Sequence, residues 1–300
     1  MKREWIYLLC VWVMCSFCVP AWSWGQKGHR IIAKIACDNL SRKAKVKVER
    51  FSGQALFSAS LCNGQALFRG ESLAGKALFR GEGIIYFANW SDEIKSDTIY
   101  PTSYDWHFQD FDGGMSDSAI IATLTDYPKA GGNLFRAMDE LVSRLQNKGQ
   151  REEAESIIPD MPEEDMLKFI VHLMGDRYCP MHTAHMDDRG GNDVKVQWFG
   201  KDTNLHSIWD AELIESQGYS YTEYAEFLEH KYGMQKKAIM AMSREELLLR
   251  NYHLTEAIYA YQETWDGNPY HYIYHWHEAM EEQLYIAGIR LAKLLNEIYK

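Results

Sequence analysis

Beyond its first residues, this 300-residue chain has no apolar run long enough to cross a membrane. It also lacks an excess of basic charge. Asp and Glu number 42 against 32 Lys and Arg, for a formal charge of −10 at pH 7. That balance excludes a protein that grips nucleic acid through a broad basic surface. It does not exclude a site whose positive charge comes from metal ions. Cysteine is scarce as well. Of six cysteines, Cys10, Cys15 and Cys18 fall in the N-terminal apolar stretch, leaving Cys37, Cys62 and Cys179. An odd three is no disulfide scaffold: it allows one pair at most, and which pair is not readable. Strand signals are few, "NDVKVQWFG" after a glycine pair being the best, and it suits a small hairpin.

What the N-terminus does hold is an export pattern. Lys2 and Arg3 precede the apolar run "WIYLLCVWVMCSFC", and "AWS" at residues 21–23 supplies a small-x-small cleavage site. Residues 1–23 are therefore expected to be a signal peptide, with an uncleaved anchor as the alternative that the shortness of the run disfavours. The expected mature protein is residues 24–300, one domain, exported to the periplasm or secreted, with no membrane attachment after cleavage.

The rest reads as helix almost throughout. "HRIIAKIACDNL" and "SRKAKVKVERF" are two runs, the second capped by Ser41. "NLFRAMDELVSRLQNKG" ends on Gly149, and "PEEDMLKFIVHLMGDRY" starts at Pro162 with acids at its N-terminal end, where they suit the helix dipole. In "EEQLYIAGIRLAKLLNEIYK", Leu284, Leu291 and Ile298 recur every seven residues with Ala287 and Leu294 between them, a core-facing stripe. The fold class is all-α, a single mostly helical domain with long loops. One stretch stands apart. "GQALFSASLCN", "GQALFRGESLA" and "GKALFRGEGII", beginning at Gly53, Gly64 and Gly75, repeat in tandem. Residues 53–83 read as a surface insertion made by duplication. The sharper reading is a lid carrying Phe57, Phe68 and Phe79 over a cleft.

The chemistry lies in repeated histidine–aspartate spacings. His172 and Asp176 stand four apart on a helix, hence on one face, and His182 follows beyond Pro180. "HSIWD" repeats the spacing with His206 and Asp210. One such pair is commonplace. Two pairs with a histidine between them are harder to dismiss, and imidazole with carboxylate is a donor set for Zn²⁺. "ANWSDEIK" adds Asp92, "YDWHFQD" adds His107, and the N-terminal "WGQKGH" adds His29. Five histidines and three aspartates exceed one tetrahedral ion, so several metals are implied. His185, His230, His253, His271, His275 and His277 lack this patterned company and read as surface or packing residues.

The combination resembles the class I, zinc-dependent, single-strand-specific nuclease/3′-nucleotidase family, which shares its fold with zinc-dependent phospholipase C. It rests on "WGxxGH", "NWxDxI", "DWHF", "HxxxDxxxxxH" followed by "GGN", "HxxxWD" and "AGxRLAxLLN", spread over the whole expected mature chain. The resemblance implies three Zn²⁺ ions. Trp24, through its freed α-amino group and carbonyl, would hold one with His29 and Asp176. Asp92, His107, His172 and a bridging Asp176 would hold its neighbour, and His182, His206 and Asp210 a third, more open ion. It implies hydrolysis of single-stranded DNA or RNA to 5′-phosphate products, with 3′-nucleotidase activity as a further possibility and no stable protein partner. Asp92 would also orient the attacking water. Phe108 would stack on a base, Asp110 would bond its edge, and Asn192 would close the pocket. Lys95 stands where better-known members carry an arginine toward the phosphate; lysine keeps the charge and loses the bidentate fork.

Two alternatives remain at this level. A zinc phospholipase C shares fold and metals, but the short Trp24-to-His29 spacing, Asp210 in place of glutamate, and Phe108 with Asp110 stand against it. A secreted protein that only holds zinc is disfavoured by a third site with just three protein ligands, which leaves room for water and substrate.

Overall fold

The structure, a computed structural model, describes residues 24–49, 83–95, 97–147 and 156–300. The expected signal peptide, Gly149 and the tandem repeats up to residue 82 lie outside the described residues, as does Cys62.

The helical reading holds. α1 spans Gln26–Asp38 and is followed by a helix over 42–49, in which Ser41 Oγ accepts the Ala44 N–H at 3.2 Å. Short α2 covers Trp90–Ile94, α3 Leu134–Gln146 and α4 Glu163–Asp176, with Pro162 as the residue just ahead of α4 and three acids in its first turn. An antiparallel hairpin, β1 (Lys195–Trp198) and β2 (Lys201–Asn204), is the only sheet among the described residues, with Lys195 opposite Asn204. It sits where the strand signal stood. α5 (Tyr221–Tyr232) and the 21-residue α6 (Arg244–Thr264) follow. Both open on a capping box, Ser220 with Glu223 and Ser243 with Glu246. α7 runs over 30 residues, Pro269–Ile298, or about 45 Å at 1.5 Å per residue.

α4 is the axis of the molecule. Every residue from Met166 to Asp176 is buried, so its flanks pack all round rather than along one stripe. α3 covers one side of it, and α1 and α7 cover others. α7 packs most extensively on α1, and the heptad residues Leu284, Ala287 and Leu291 are fully buried there, whereas Leu294 and Ile298 are partly buried at its end. The α1–α7 approach depends on Gly288, where a Cβ would stand 2.6 Å from Ile35 Cβ. Gly288→Ala must therefore push the two longest-range core partners apart. Overpacking of this kind costs about 1–3 kcal/mol, and at about 2–4 °C per kcal/mol for a chain of this size the melting temperature should fall by several degrees. An unchanged melting curve would mean that the helices do not approach this closely.

Candidate metal centre

Burial of polar groups marks the centre. His29, Asp92, His107, His172, Asp176, His182, His206 and Asp210 are all buried, the least covered at 8 % exposure, in a core that is otherwise mostly apolar. α4 delivers His172 and Asp176 one turn apart, and α1 delivers His29. Asp92 comes from α2, and His107 from the residue after the 3₁₀ turn Ser103–Trp106. Gly175 makes the approach of α1 possible, since a Cβ there would lie 2.7 Å from His29 Nδ1. The rings of His29 and His172 stack at 3.7 Å.

In the first cluster, Asp176 is the hub. Its Oδ1 lies 3.4 Å from His29 Nε2, and its Oδ2 lies 3.0 Å from His107 Nδ1 and 3.5 Å from His172 Nε2. Asp92 Oδ1 is 3.5 Å from His172 Nε2 and 3.7 Å from His107 Nδ1. Donor atoms within mutual reach of one ion form two sets here, His29 with Asp92 and His172, and His107 with His172 and Asp176. Asp176, which the resemblance pairs with His29, is within reach of all three histidines. The adjoining cluster sets His182 Nε2 at 3.5 Å and His206 Nε2 at 3.0 Å from the Asp210 carboxylate. Asp210 sits on a π-helical turn, Ile208–Glu212, rather than on the plain α-helix its spacing predicts. Such wide turns recur at functional sites because they re-aim one side chain without ending the helix.

These distances suit cations. Two donors at about 2.1 Å from a tetrahedral ion are about 3.4 Å apart, and the nitrogen–oxygen separations above bracket that figure. The second bonds of the histidines fix their tautomers. His172 Nδ1 donates to Ala88 O at 2.7 Å, His182 Nδ1 to His107 O at 2.6 Å and His206 Nδ1 to Gly190 O at 2.7 Å. Each Nε2 lone pair is thereby turned into its cluster, the usual arrangement behind a metal-ligating histidine. Among the described residues, Nε2 of His172 and of His182 and Oδ2 of Asp210 are buried without a hydrogen bond. Buried polar atoms of this kind are costly unless something binds them.

Electrostatics agree. Burial, helped by His172, pushes His29 down to about 3, so it stays a neutral donor. Burial opposes ionisation of Asp92 and Asp176, yet the facing histidines outweigh it and hold both carboxyls below the usual range. For His182 burial again opposes charge, but Asp210 and Asp176 outweigh it and push it up to about 9 from 6.5. The sign of the consequence is definite. In metal-free protein the protonated His182 stabilises the fold fully below about pH 6.5, and that contribution is lost as pH rises through about 9. A divalent cation such as Zn²⁺ would have to displace the same proton, so its affinity for this cluster would move the other way and rise with pH over that interval. Melting of chelated protein together with zinc titrations at several pH values checks both slopes. A zinc affinity flat across the interval would remove His182 from the ligands.

The remaining expected site residues are placed as follows. Trp24 is fully buried at the head of α1, with its carbonyl accepting the His29 N–H at 3.3 Å. Lys95 Nζ donates to Asp92 Oδ1 at 3.1 Å, so here the lysine answers the carboxylate. Phe108 is partly buried, edge-on to the exposed Tyr104 at 5.9 Å. Asp110 is buried, and burial pushes its carboxyl up to about 7 against the pull of His206 and His182. Asn192 Nδ2 donates to Arg189 O at 2.8 Å in the loop whose Gly190 carbonyl holds His206. Sequence reasoning missed Ser91, whose Oγ lies 3.1 Å from His107 Nε2, and Cys179, whose Sγ donates to Asp210 Oδ1 at 3.3 Å. Cys179 stands three residues before His182, a spacing that could have marked it as a neighbour of the donors. Of the histidines set aside, His185 packs on Tyr259 and bonds Glu256, and His253 and His271 meet exposed carboxylates.

Fold and donor set together define a mostly helical protein with a buried centre suited to several cations. A sequence profile described as S1/P1 nuclease matches residues 24–300, and the chain belongs to that family, which makes it a nuclease. Among curated relatives, it is 25% identical to Endonuclease 3 of Arabidopsis thaliana over 99% of this chain and 95% of that protein. It is 29% identical to Nuclease S1 of Aspergillus oryzae over 45% of this chain and 43% of the relative. The same identity holds with Nuclease P1 of Penicillium citrinum over 42% and 43%.

Proposed function

We propose that the protein is a zinc-dependent endonuclease that hydrolyses single-stranded nucleic acid to 5′-phosphate products, after export and removal of residues 1–23. The observation that supports this reading best is the pair of adjoining buried clusters, His29, Asp92, His107, His172 and Asp176 beside His182, His206 and Asp210, the last three joined through the Asp210 carboxylate with Cys179 alongside. Three Zn²⁺ ions held by these residues with Trp24 would supply a nucleophile ionised near neutral pH and positive charge for the phosphate. In a protein of net charge −10, that is how a polyanion can be held without a basic surface.

The chain's own residues divide the remaining work. Asp176, reaching three imidazoles, fixes the spacing of the first cluster. Asp92 lies beside it with the Lys95 ammonium on its Oδ1, placed to accept a hydrogen bond from the attacking water while Lys95 keeps the carboxylate oriented. The second cluster, with three protein donors, has capacity left for the phosphate and the departing O3′. Phe108 offers a ring face to an unpaired base, and Asp110 offers its edge a carboxyl beside His206. Stacking of this kind needs a base that is out of a duplex, which is the physical source of single-strand preference. Isolated 3′-nucleotides carry the same bond and are expected substrates.

The α-amino group of Trp24 exists only after cleavage behind Ser23, because in the whole chain that nitrogen is a peptide amide. The test uses zinc-loaded protein beginning at Trp24, alongside protein carrying extra residues before it. Both are mixed with a 5′-labelled single-stranded oligonucleotide and with its duplex. Preferential cleavage of the single strand to 5′-phosphate ends, weaker in the extended protein, is expected. Cleavage by neither form, with zinc shown to be bound, or release of phosphocholine from phosphatidylcholine instead, would overturn the assignment.

A further inference from the structure

α4 carries function on one face and a separate feature on another. His172 and Asp176, one turn apart, face the metal centre, whereas Met174, Arg177 and Tyr178, at i, i+3 and i+4, line a cavity of about 250 Å³ between α3, α6 and α7. Four cations border it, Arg177 from the end of α4, Arg244 from the start of α6, and Arg290 and Lys293 from α7. Only Asp139 and Glu297 oppose them, which leaves an excess of two positive charges in a protein of net charge −10.

Part of that charge has structural employment. Arg290 Nη1 donates to Met242 O at 2.9 Å and Lys293 Nζ to Met240 O at 2.8 Å, closing the end of the helix that precedes α6. Arg244 Nη2 donates to Asp139 Oδ2 at 2.7 Å, an oxygen that also accepts from Tyr127. The rest is unspent. Arg244 Nε is buried without a hydrogen bond. The guanidinium of Arg177 lies over the Phe135 ring at 5.1 Å, and among the described residues it has no hydrogen-bond acceptor and no carboxylate partner. A partly buried guanidinium flanked by two others is unfavourable on its own, since like charges repel, and the buried Arg244 Nε beside it goes unanswered.

We propose that this cavity is an anion site, separate from the metal centre, that takes a phosphate group, either orthophosphate or the 5′-phosphate of a mononucleotide. Planar guanidinium forks match the oxygens of phosphate bidentately. The charge excess selects a dianion: a phosphomonoester carries about −1.5 to −2 at pH 7, whereas a carboxylate or a backbone phosphodiester carries one charge and leaves the site unbalanced. The volume lies below the range of about 300–1,000 Å³ typical of pockets that enclose a whole small molecule. It is the phosphate, then, that enters, and any nucleoside stays at the mouth. A 5′-mononucleotide is also a product of the proposed reaction, but the site follows from α4's second face and holds whether or not that reaction is right.

The experiment is calorimetric titration of zinc-loaded protein starting at Trp24 with orthophosphate and, separately, with adenosine 5′-monophosphate. Each is repeated on Arg177→Met, which keeps length and packing over Phe135, and on Arg244→Met at a more exposed position. The metal centre also attracts phosphate, so the reading is the number of sites per chain. Two classes of site are expected in the native protein, one of them weakened at least about tenfold in either variant, while the other class and the cleavage of single strands are unchanged. Binding of both ligands to the sensitive class identifies a phosphate site; binding of the nucleotide alone means that the nucleoside contributes at the mouth. A single class in the native protein, or isotherms that superimpose for native protein and a folded variant, would overturn the proposal.

Discussion

Asp176→Asn should lower cleavage of single-stranded DNA by about a thousandfold or more while leaving the helices intact. One fully buried carboxylate faces three imidazoles, from His29, His107 and His172, at 3.0 to 3.5 Å. Asparagine keeps the shape, removes the charge and exchanges one acceptor oxygen for a donor NH₂, which cannot face a cation. Loss of a group that merely orients a ligand already costs about 10–100-fold in metal affinity or activity, and a group shared between neighbouring ions, as proposed for Asp176, would cost more. Zinc per chain measured by atomic emission should fall in parallel. A variant that retains more than about a tenth of native activity would end Asp176's role as the hub. Asp188→Asn serves as the comparison: Asp188 braces Tyr259 and the Gly191 amide outside both clusters and should change activity far less.

Chelation should lower the melting temperature by about 10 °C or more. A ligand present at a thousand times its dissociation constant stabilises by about 4 kcal/mol per site, and each kcal/mol is worth about 2–4 °C in a chain of this size. One site is worth about 8–16 °C, and three would exceed the expectation. The physical cause is the set of buried carboxylates, Asp92, Asp176 and Asp210, together with the turned-in nitrogens of His172 and His182, which on the proposed reading would lose their partner with the metal. Helical content at low temperature should survive, because α1 and α7 meet through mostly apolar side chains and, of the cluster residues, only His29 lies on either helix. A melting curve unmoved after metal has demonstrably been removed would mean that the clusters bind no ion that matters to the fold.

Much of this protein could be read from residue order. The heptad of Leu284 and Leu291, the capping Ser41, the acids at the start of α4 and the small hairpin all reappear, since each rests on local rules of period, capping and turn chemistry. α5 and α6 are harder to read although each opens on a Ser-x-x-Glu box, because their aromatic and charged residues blur the apolar period on which a helix is usually recognised. Within the centre, the four-residue spacing of His172 and Asp176 placed them on one face, as a single helix must. His206 and Asp210 have the same spacing, but a π-helical turn sets their final aim, and that turn depends on packing outside the segment.

Residue order therefore named the candidate donors and which of them share a helix, because those are matters of residue chemistry and of distances under about 6 Å along one element. It could not settle which donors meet across elements. That Asp176 serves His29 and His107, that Ala88, His107 and Gly190 lend carbonyls to fix three imidazoles, and that Cys179 bonds Asp210 follow from the way α1, α2 and two loops close on α4. The Arg177 cavity is the same lesson on the opposite face of that helix. Its four cations come from three helices spread over more than a hundred residues, and only tertiary packing brings like charges together.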